Sequence, residues 1–384
     1  MKSAAGKSWL VFGGGNDRAV IAFLRALRLC GERAHVIART GGDRLLRSDF
    51  RRDVAWVRPT HELSLGVFSD CIDRVRAKAG SGRLVVLPST EYLNTFLLQH
   101  RHEIESMGCE IPLVDRSLYM RLTEKGSAID FFSAAGLPAP RTMDPLPADL
   151  PVVAKPYRNV SAAGESLYPQ LLHSRAQLEA FLRDHVADDY FFQEFVDGES
   201  HYLLFHMSQH EGHDAIWSQR NLIQQPGGKS MLLAAPSTFH KSEAASRIVQ
   251  ALRHAGFHGL GMVEVIRTRE RDVFIEMNPR IWGPLQFCLD HGQVLLQAFI
   301  GETLHDDPSR YSGRTPNSRR NRYFWLGGLL ETLGSGLEPA WHTARGSISL
   351  TIARNLACDV YLRGDSWRCF AHDLWRFFEG RGHR

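Results

Sequence analysis

The apolar positions of the first hundred residues come in short blocks separated by helical patterns. Trp9-Leu-Val-Phe12 is a continuous apolar run that ends in Gly13-Gly-Gly15-Asn-Asp17, which predicts a buried strand and a turn. From Arg18 to Cys30 the apolar residues Val20, Ile21, Phe23, Leu24, Leu27 and Leu29 fall at helical spacing, and Gly31 is placed to stop that helix. Ala34-His-Val-Ile-Ala38, Val54-Ala-Trp-Val57 and Leu84-Val-Val-Leu-Pro88 predict three more strands, with a helix over about 68–79 between the last two. Strands alternating with helices predict a parallel sheet with crossover connections.

A second helical region, 117–135, carries Lys125. Five prolines in the fourteen residues 138–151 then exclude a helix and predict an extended connector into a new domain. Leu150-Pro-Val-Val-Ala-Lys155-Pro156 predicts a strand with a lysine near its end. The segment 159–166, Asn-Val-Ser-Ala-Ala-Gly-Glu-Ser, has the small polar composition of a loop that closes on a ligand. A helix over 176–185 and a strand and turn over 190–199 follow. A hairpin is expected around His210-Glu-Gly-His213, and Ser242 is placed to cap a helix reaching about Ala255. Near the C-terminus Trp367, Phe370, Leu374, Phe377 and Phe378 form one helical stripe. A helix docked on the core is the simplest reading; a membrane-surface or partner-binding helix and a homodimer interface are the alternatives.

Composition narrows the class. The 384 residues are 43% hydrophobic and 23% charged, ordinary values for a globular chain of two or three domains. Lys+Arg 46 against Asp+Glu 42 is nearly balanced and no long basic run occurs, so nucleic acid is not expected as a partner. No apolar segment is long enough to span a membrane, and no signal-peptide core follows Met1. Cys30, Cys71, Cys109, Cys288, Cys358 and Cys369 are scattered without a Cys-x-x-Cys pair. Free thiols in a cytoplasmic protein are therefore expected, rather than a zinc site or a disulfide framework. The turn Gly13-x-Gly15-x-x-Arg18 lacks the third glycine of a dinucleotide fingerprint, and reads as a tight strand-to-helix turn. His201, His206, His210 and His213 have mixed parity and do not predict a metal site.

The most informative stretch is 261–280, two strand patterns around a charged turn. If the hairpin is symmetric about Glu270, Glu264 lies across from Glu276, and alternation puts Glu276 and Asn278 on one face. Val263, Val265, Ile275 and Met277 then point to the other face. Adjacent carboxylates repel unless a cation lies between them, and oxygen donors without histidine or thiol favour Mg²⁺ over zinc. Pro279 suits a strand that ends at a site.

The ordered set Lys125, Val152-Val-Ala-Lys155-Pro, Gln193-Glu-Phe-Val-Asp-Gly-Glu199, Val263-Glu264 and Phe274-Ile-Glu276-Met-Asn278-Pro-Arg280 resembles the ATP-grasp superfamily over about residues 1–300. It is most similar to the carboxylate–amine ligases related to the carbamoyl-phosphate synthetase large subunit. Gln219-Arg-Asn-Leu-Ile-Gln-Gln-Pro-Gly-Gly228 and Asn278-Pro-Arg-Ile-Trp-Gly283 resemble a bacterial branch of ATP-grasp ligases.

The implied fold is α/β, with α+β character in the ATP-grasp part: a Rossmann-like parallel sheet (1–112), two subdomains (113–190 and 191–310) and a C-terminal extension (311–384). The resemblance implies that Lys125 and Lys155 hold ATP phosphates, that Gln193, Glu194, Phe195 and Val196 form the hinge that meets adenine, and that Glu199 binds ribose. It implies Mg²⁺, with Mn²⁺ as an alternative, on Glu264, Glu276 and Asn278. Arg280 would face the γ-phosphate, and the segment 159–166 would be the lid. Arg220 is by default a surface arginine, while its family position implies that it binds the substrate carboxylate. The implied activity joins a small-molecule carboxylate to an amine through an acyl phosphate, releasing ADP and phosphate. The alternative is an ATP-grasp protein that binds nucleotide without turnover.

Overall fold

Continuous apolar runs such as Trp9-Leu-Val-Phe12 have no polar side to turn outward, so their strand must be covered on both faces. In the computed structural model this is β1 (Ser8–Phe12), in the middle of a five-stranded parallel sheet of order β3-β2-β1-β4-β5. Its partners are β2 (Ala34–Arg39), β3 (Val54–Arg58), β4 (Leu84–Val86) and β5 (Cys109–Glu110). Trp9 and Val11 pack with the helix Asp17–Cys30 in one core; Leu10 and Phe12 pack with the helices Leu65–Ala79 and Glu91–Gln99 in another. Gly31 stops the first helix in a left-handed conformation at φ 77°, as its position predicts. The structure describes residues 6–80, 82–143, 149–157, 167–185, 189–314 and 320–382. Among them no helix is long and apolar enough to cross a membrane, and all six cysteines are free.

Past the proline-rich connector lies a four-stranded antiparallel sheet of order β6-β9-β7-β8: β6 (Thr142–Met143), β7 (Val152–Pro156), β8 (Gln170–Leu172) and β9 (Tyr190–Glu194). Val152, Ala154 and Phe192 face the helix Arg175–Asp184, packing on Leu178 and Phe181. Strand alternation therefore turns Lys155 to the opposite, uncovered face.

The third sheet is larger. Its order is β14-β13-β10-β11-β12-β15, from β10 (Glu199–Met207), β11 (Ala215–Gln224), β12 (Met231–Pro236), β13 (Gly259–Arg267), β14 (Asp272–Asn278) and β15 (Tyr323–Phe324), and β16 (Ala340–Trp341) adds to the end of β11. The C-terminal segment thus joins this sheet through β15 and β16. Of its aromatic stripe, Phe370, Leu374 and Phe377 pack on the core, whereas Trp367 and Phe378 are exposed. The buried side of the helix Trp367–Gly382 is instead completed by Cys369 and Asp373.

Candidate active site

Glu264 and Glu276 are direct cross-strand partners, and Asn278 lies opposite Met262. The pairing arises differently from the symmetric hairpin expected. Arg267 pairs with Asp272 around the turn, so an uninterrupted ladder would set Glu264 against Ile275. A bulge between the Val265 and Glu264 pairs shifts the register by one and brings Glu276 into line. Consequently Phe274, not Ile275, packs beside Val263, Val265 and Met277, and Ile275 is only half-buried. The register skips Ile275, and its carbonyl accepts from Lys155 Nζ at 3.1 Å.

Lys125 begins the helix Lys125–Ala134. The expected single helix over 117–135 is broken at Glu124, whose φ −69° and ψ 131° are extended. The lysine therefore sits among the unpaired N–H groups of a helix start, where anions are favoured. Lys125, Lys155, Glu276, Asn278 and Arg280 line one cavity of about 450 Å³. Burial, and next the neighbouring Lys155, lower the Lys125 ammonium to about 8. Burial also lowers Lys155, against the opposing pull of Glu276 and Glu264. On Glu264, burial and then the facing Glu276 raise the carboxyl well above its usual range.

Strand β14 ends at Asn278, but a tight turn keeps Arg280 beside it. Arg280 N donates to the Asn278 carbonyl at 2.9 Å, and Arg280 Nη2 donates to Asn278 Oδ1 at 2.9 Å. Asn278 Nδ2 in turn donates to Glu276 Oε1 at 2.6 Å. The turn is anchored from the parallel sheet: Ile281 N donates to the Pro88 carbonyl at 3.2 Å, and Asn16 Nδ2 donates to Ile281 O at 3.0 Å. The glycine turn before Asn16 is thereby accounted for structurally. Gly14 has φ 88°, and a Cβ at Gly13 would lie 2.3 Å from Asp43 Oδ2.

Other expected site residues lie elsewhere. Phe195, Val196 and Glu199 line a separate cleft of about 1510 Å³. Gln193 Nε2 donates to the Pro140 carbonyl at 3.3 Å, and Glu194 accepts from Arg141 N and Arg271 Nη2, so both side chains are hydrogen-bonded within the chain. What this stretch can offer is backbone. Arg220 is not brought to the carboxylates. It pairs in register with His201, which stacks on Phe239 on the opposite face of the sheet, and its guanidinium is half-exposed on Glu199 Oε1 at 2.8 Å. The expected lid, 159–166, lies outside the described residues.

The sequence reading missed the polar bed beneath Glu264. Ser200 Oγ donates to Glu264 Oε1 at 2.7 Å, Asn221 Nδ2 donates to Ser200 Oγ at 2.8 Å, and Gln219 Nε2 donates to Asn221 Oδ1 at 2.9 Å. All are buried. Strand parity held the signal: residues 200, 202, 219 and 221 share the Glu264 face, while the motif drew attention to Glu199 and Arg220 on the other. Among the described residues no group of three or more His, Cys, Asp or Glu could hold a metal. The histidines expected not to form a metal site are taken up separately, His206 on Glu302 at 2.8 Å and His201 on Ser237 at 2.9 Å.

Residues 122–284 match the ATP-grasp domain family model. No curated protein matches the chain in sequence. Among solved structures, biotin carboxylase from Campylobacter jejuni superimposes with a TM-score of 0.54 at 13% identity, covering 82% of this chain and 73% of that one. An L-amino acid ligase from Bacillus licheniformis gives 0.54 at 14% identity, covering 82% and 78%. The biotin carboxylase domain of Hydrogenobacter thermophilus 2-oxoglutarate carboxylase, a dimer in complex with MgADP, ADP and bicarbonate, gives 0.50 at 16% identity, covering 71% and 64%. This chain thus spans just under two thirds of that domain. At these identities the likeness is one of fold.

Proposed function

We propose, from the match of residues 122–284 to the ATP-grasp domain model, that the chain is an ATP-dependent carboxylate–amine ligase that works through an acyl phosphate. The observation that carries the reading is the in-register pair Glu264–Glu276 beside two lysines whose ammonium groups are disfavoured as they stand. Paired carboxylates call for a divalent cation, and paired lysines call for a polyanion; Mg·ATP brings both. The donor set fits Mg²⁺ or Mn²⁺: two carboxylates and the Asn278 amide are all oxygen donors. With only two carboxylates, the remaining ligands would come from phosphate and water.

In this reading Lys125 and Lys155 bind the triphosphate, and the hinge 193–196 meets adenine through its backbone. Glu199 takes the ribose hydroxyls, and the segment 159–166 closes over the phosphates. Glu264, Glu276 and Asn278 hold the cation, which neutralises charge on the phosphates when bound. A substrate carboxylate oxygen attacks the γ-phosphorus as the bond to the β-phosphate oxygen breaks, releasing ADP. The amine nitrogen then attacks the acyl carbon, phosphate leaves, and the nitrogen gives up a proton. Arg280, held by Asn278, stabilises the negative charge that moves from phosphate to acyl group. Arg220 has no part in this scheme. The resemblance and the free cysteines suit a cytoplasmic setting.

The test is ADP release with Mg·ATP and pooled carboxylates and amines, with hydroxylamine to trap the acyl phosphate as a hydroxamate. ADP release that needs a carboxylate, with hydroxamate formed, supports the ligase. Nucleotide binding without turnover in any pool would instead support the non-catalytic alternative.

A further inference from the structure

Three stretches that stand out in the sequence, the turn Gly13–Arg18, the run Gln219–Gly228 and the run Asn278–Gly283, meet at one guanidinium, that of Arg18. Arg18 Nη1 donates to the Met231 carbonyl at 3.2 Å and to the Tyr323 hydroxyl at 3.0 Å, and Nη2 donates to Ser230 Oγ at 3.0 Å. Its Cζ lies 3.7 Å from the ring centre of Trp325. Ser230 is set by the turn after Gln224, which Gln225 N closes on the Ser230 carbonyl at 2.9 Å. Gly283 leaves room beside the guanidinium: a Cβ there would lie 3.2 Å from Nη2.

All four of these partners are neutral. Arg25, Arg44 and Arg363 each meet a carboxylate, at 2.7, 2.6 and 2.5 Å, whereas among the described residues no carboxylate pairs with Arg18. The adjacent Asp17 turns to Arg44 and to Gly14 N instead. Neutral acceptors compensate a half-buried charge only in part. A guanidinium has five N–H groups, and three are used, which leaves one on Nε and one on Nη2. Nε and Nη2 share the edge that meets both oxygens of a carboxylate or phosphate. The ring stack and the three hydrogen bonds fix that edge beforehand, so little order is lost when an anion arrives.

The edge adjoins the chemistry. Gly283 is three residues past Arg280, at most ~11 Å along the chain, and Asn16, two residues before Arg18, grips Ile281 between them. Met231 lies three strand spacings from Glu264 in the large sheet, ~14 Å, so an anion here is a different group from the triphosphate at Lys125 and Lys155. We propose that Arg18 binds an anionic group, carboxylate or phosphate, that a substrate carries in addition to the carboxylate that is activated. The substrate pair then includes either an acid with a second oxyanion or an amine whose own carboxylate stays free. This inference rests on the ligase reading above.

The experiment compares each acid with a neutral counterpart. In one arm, with Mg·ATP and hydroxylamine, hydroxamate formation is measured for dicarboxylates and phosphorylated carboxylates, and for the same acids with the second anion amidated or removed. In the other, ADP release is measured with α-amino acids and with α-amino acid amides as the amine. In one arm the wild-type KM should be lower for the charged member by about 30-fold or more. Arg18→Gln should abolish that preference, through KM rather than kcat, and Arg18→Lys, which keeps the charge without the fork, should recover only part of it. Equal wild-type KM for charged and neutral members in both arms would overturn the proposal, and this comparison needs no variant to fold. A preference that survives in Arg18→Gln would overturn it too. A wild-type protein that releases no ADP in any pool would overturn the functional reading and this inference with it.

Discussion

Replacing Glu264 by Gln should stabilise the metal-free protein. Cross-strand partners hold their Cβ atoms ~5 Å apart, and two carboxylates at about that separation repel by ~3 kcal/mol at an effective dielectric of ~20. Lys155, which attracts both, offsets part of this, leaving about 2 kcal/mol to be relieved when one charge is removed. Gln keeps an oxygen for the Ser200 hydroxyl, so the local packing survives. The effect must depend on pH. The Glu264 carboxyl is raised in the fold, so wild type has its full stability below the ordinary carboxylate range and loses it as pH rises through the raised value. The Gln variant lacks that loss. Thermal melts in EDTA should agree at pH 5, and at pH 8 the variant should melt higher by roughly 2–3 °C. In saturating Mg·ADP the order should reverse, because only wild type gains the cation. A variant that melts at or below wild type at pH 8 in EDTA, or whose advantage is the same at both pH values, would refute the electrostatic argument.

ATP affinity should be level at neutral pH and fall as pH rises past about 8, where unliganded Lys125 loses its proton; calorimetry from pH 7 to 9.5 checks this, and Lys125→Ala should remove the Lys125 part of the fall. Lys155→Ala should weaken ATP binding by about 2 kcal/mol or more in the same assay, since a charge-assisted contact to phosphate is lost. Arg280→Ala should lower kcat with ATP affinity nearly intact, and Lys should rescue it poorly because it cannot reproduce the planar fork that reaches Asn278. Arg220→Ala should leave kcat and KM unchanged and alter stability by at most ~1 kcal/mol, as a half-exposed pair with Glu199; a raised carboxylate KM would return the residue to the site.

The side-chain facings legible in the sequence are those that depend on local alternation. Glu276 and Asn278 are two residues apart on one strand, and Lys155 alternates with the buried Val152 and Ala154, so facing follows from parity. What depends on the register between distant strands could not be read. Whether Arg220 shares a face with Glu264 is set by how β10 pairs with both β11 and β13, and the hairpin turns that fix those registers carry no motif. The bulge at Ile275 was hidden for a similar reason: Phe274 and Glu276 are two residues apart yet face opposite sides of the sheet, which simple alternation forbids. The hinge expectation for Gln193 and Glu194 did not say where their side chains go. The proline connector and Arg271, which claim those side chains, come from remote parts of the chain. The C-terminal segment's place in the large sheet could not be read because β15 and β16 are two-residue strands, too short to show a period.

In an open parallel sheet the notch between the two strands where the order reverses, here β1 and β4, is where such folds usually receive a ligand. In this protein the chain itself fills it: Ile281 is gripped there by Asn16 and by the backbone after β4. The notch thereby becomes the footing of the turn that aims Arg280. In the proposed reading, residues near position 16 would belong to the same unit as the carboxylates, though more than 240 positions separate them along the chain. An excised ATP-grasp segment would keep its carboxylate hairpin and lose the footing of its arginine, and a change as small as Asn16→Ala would reach the chemistry through the loss of one amide.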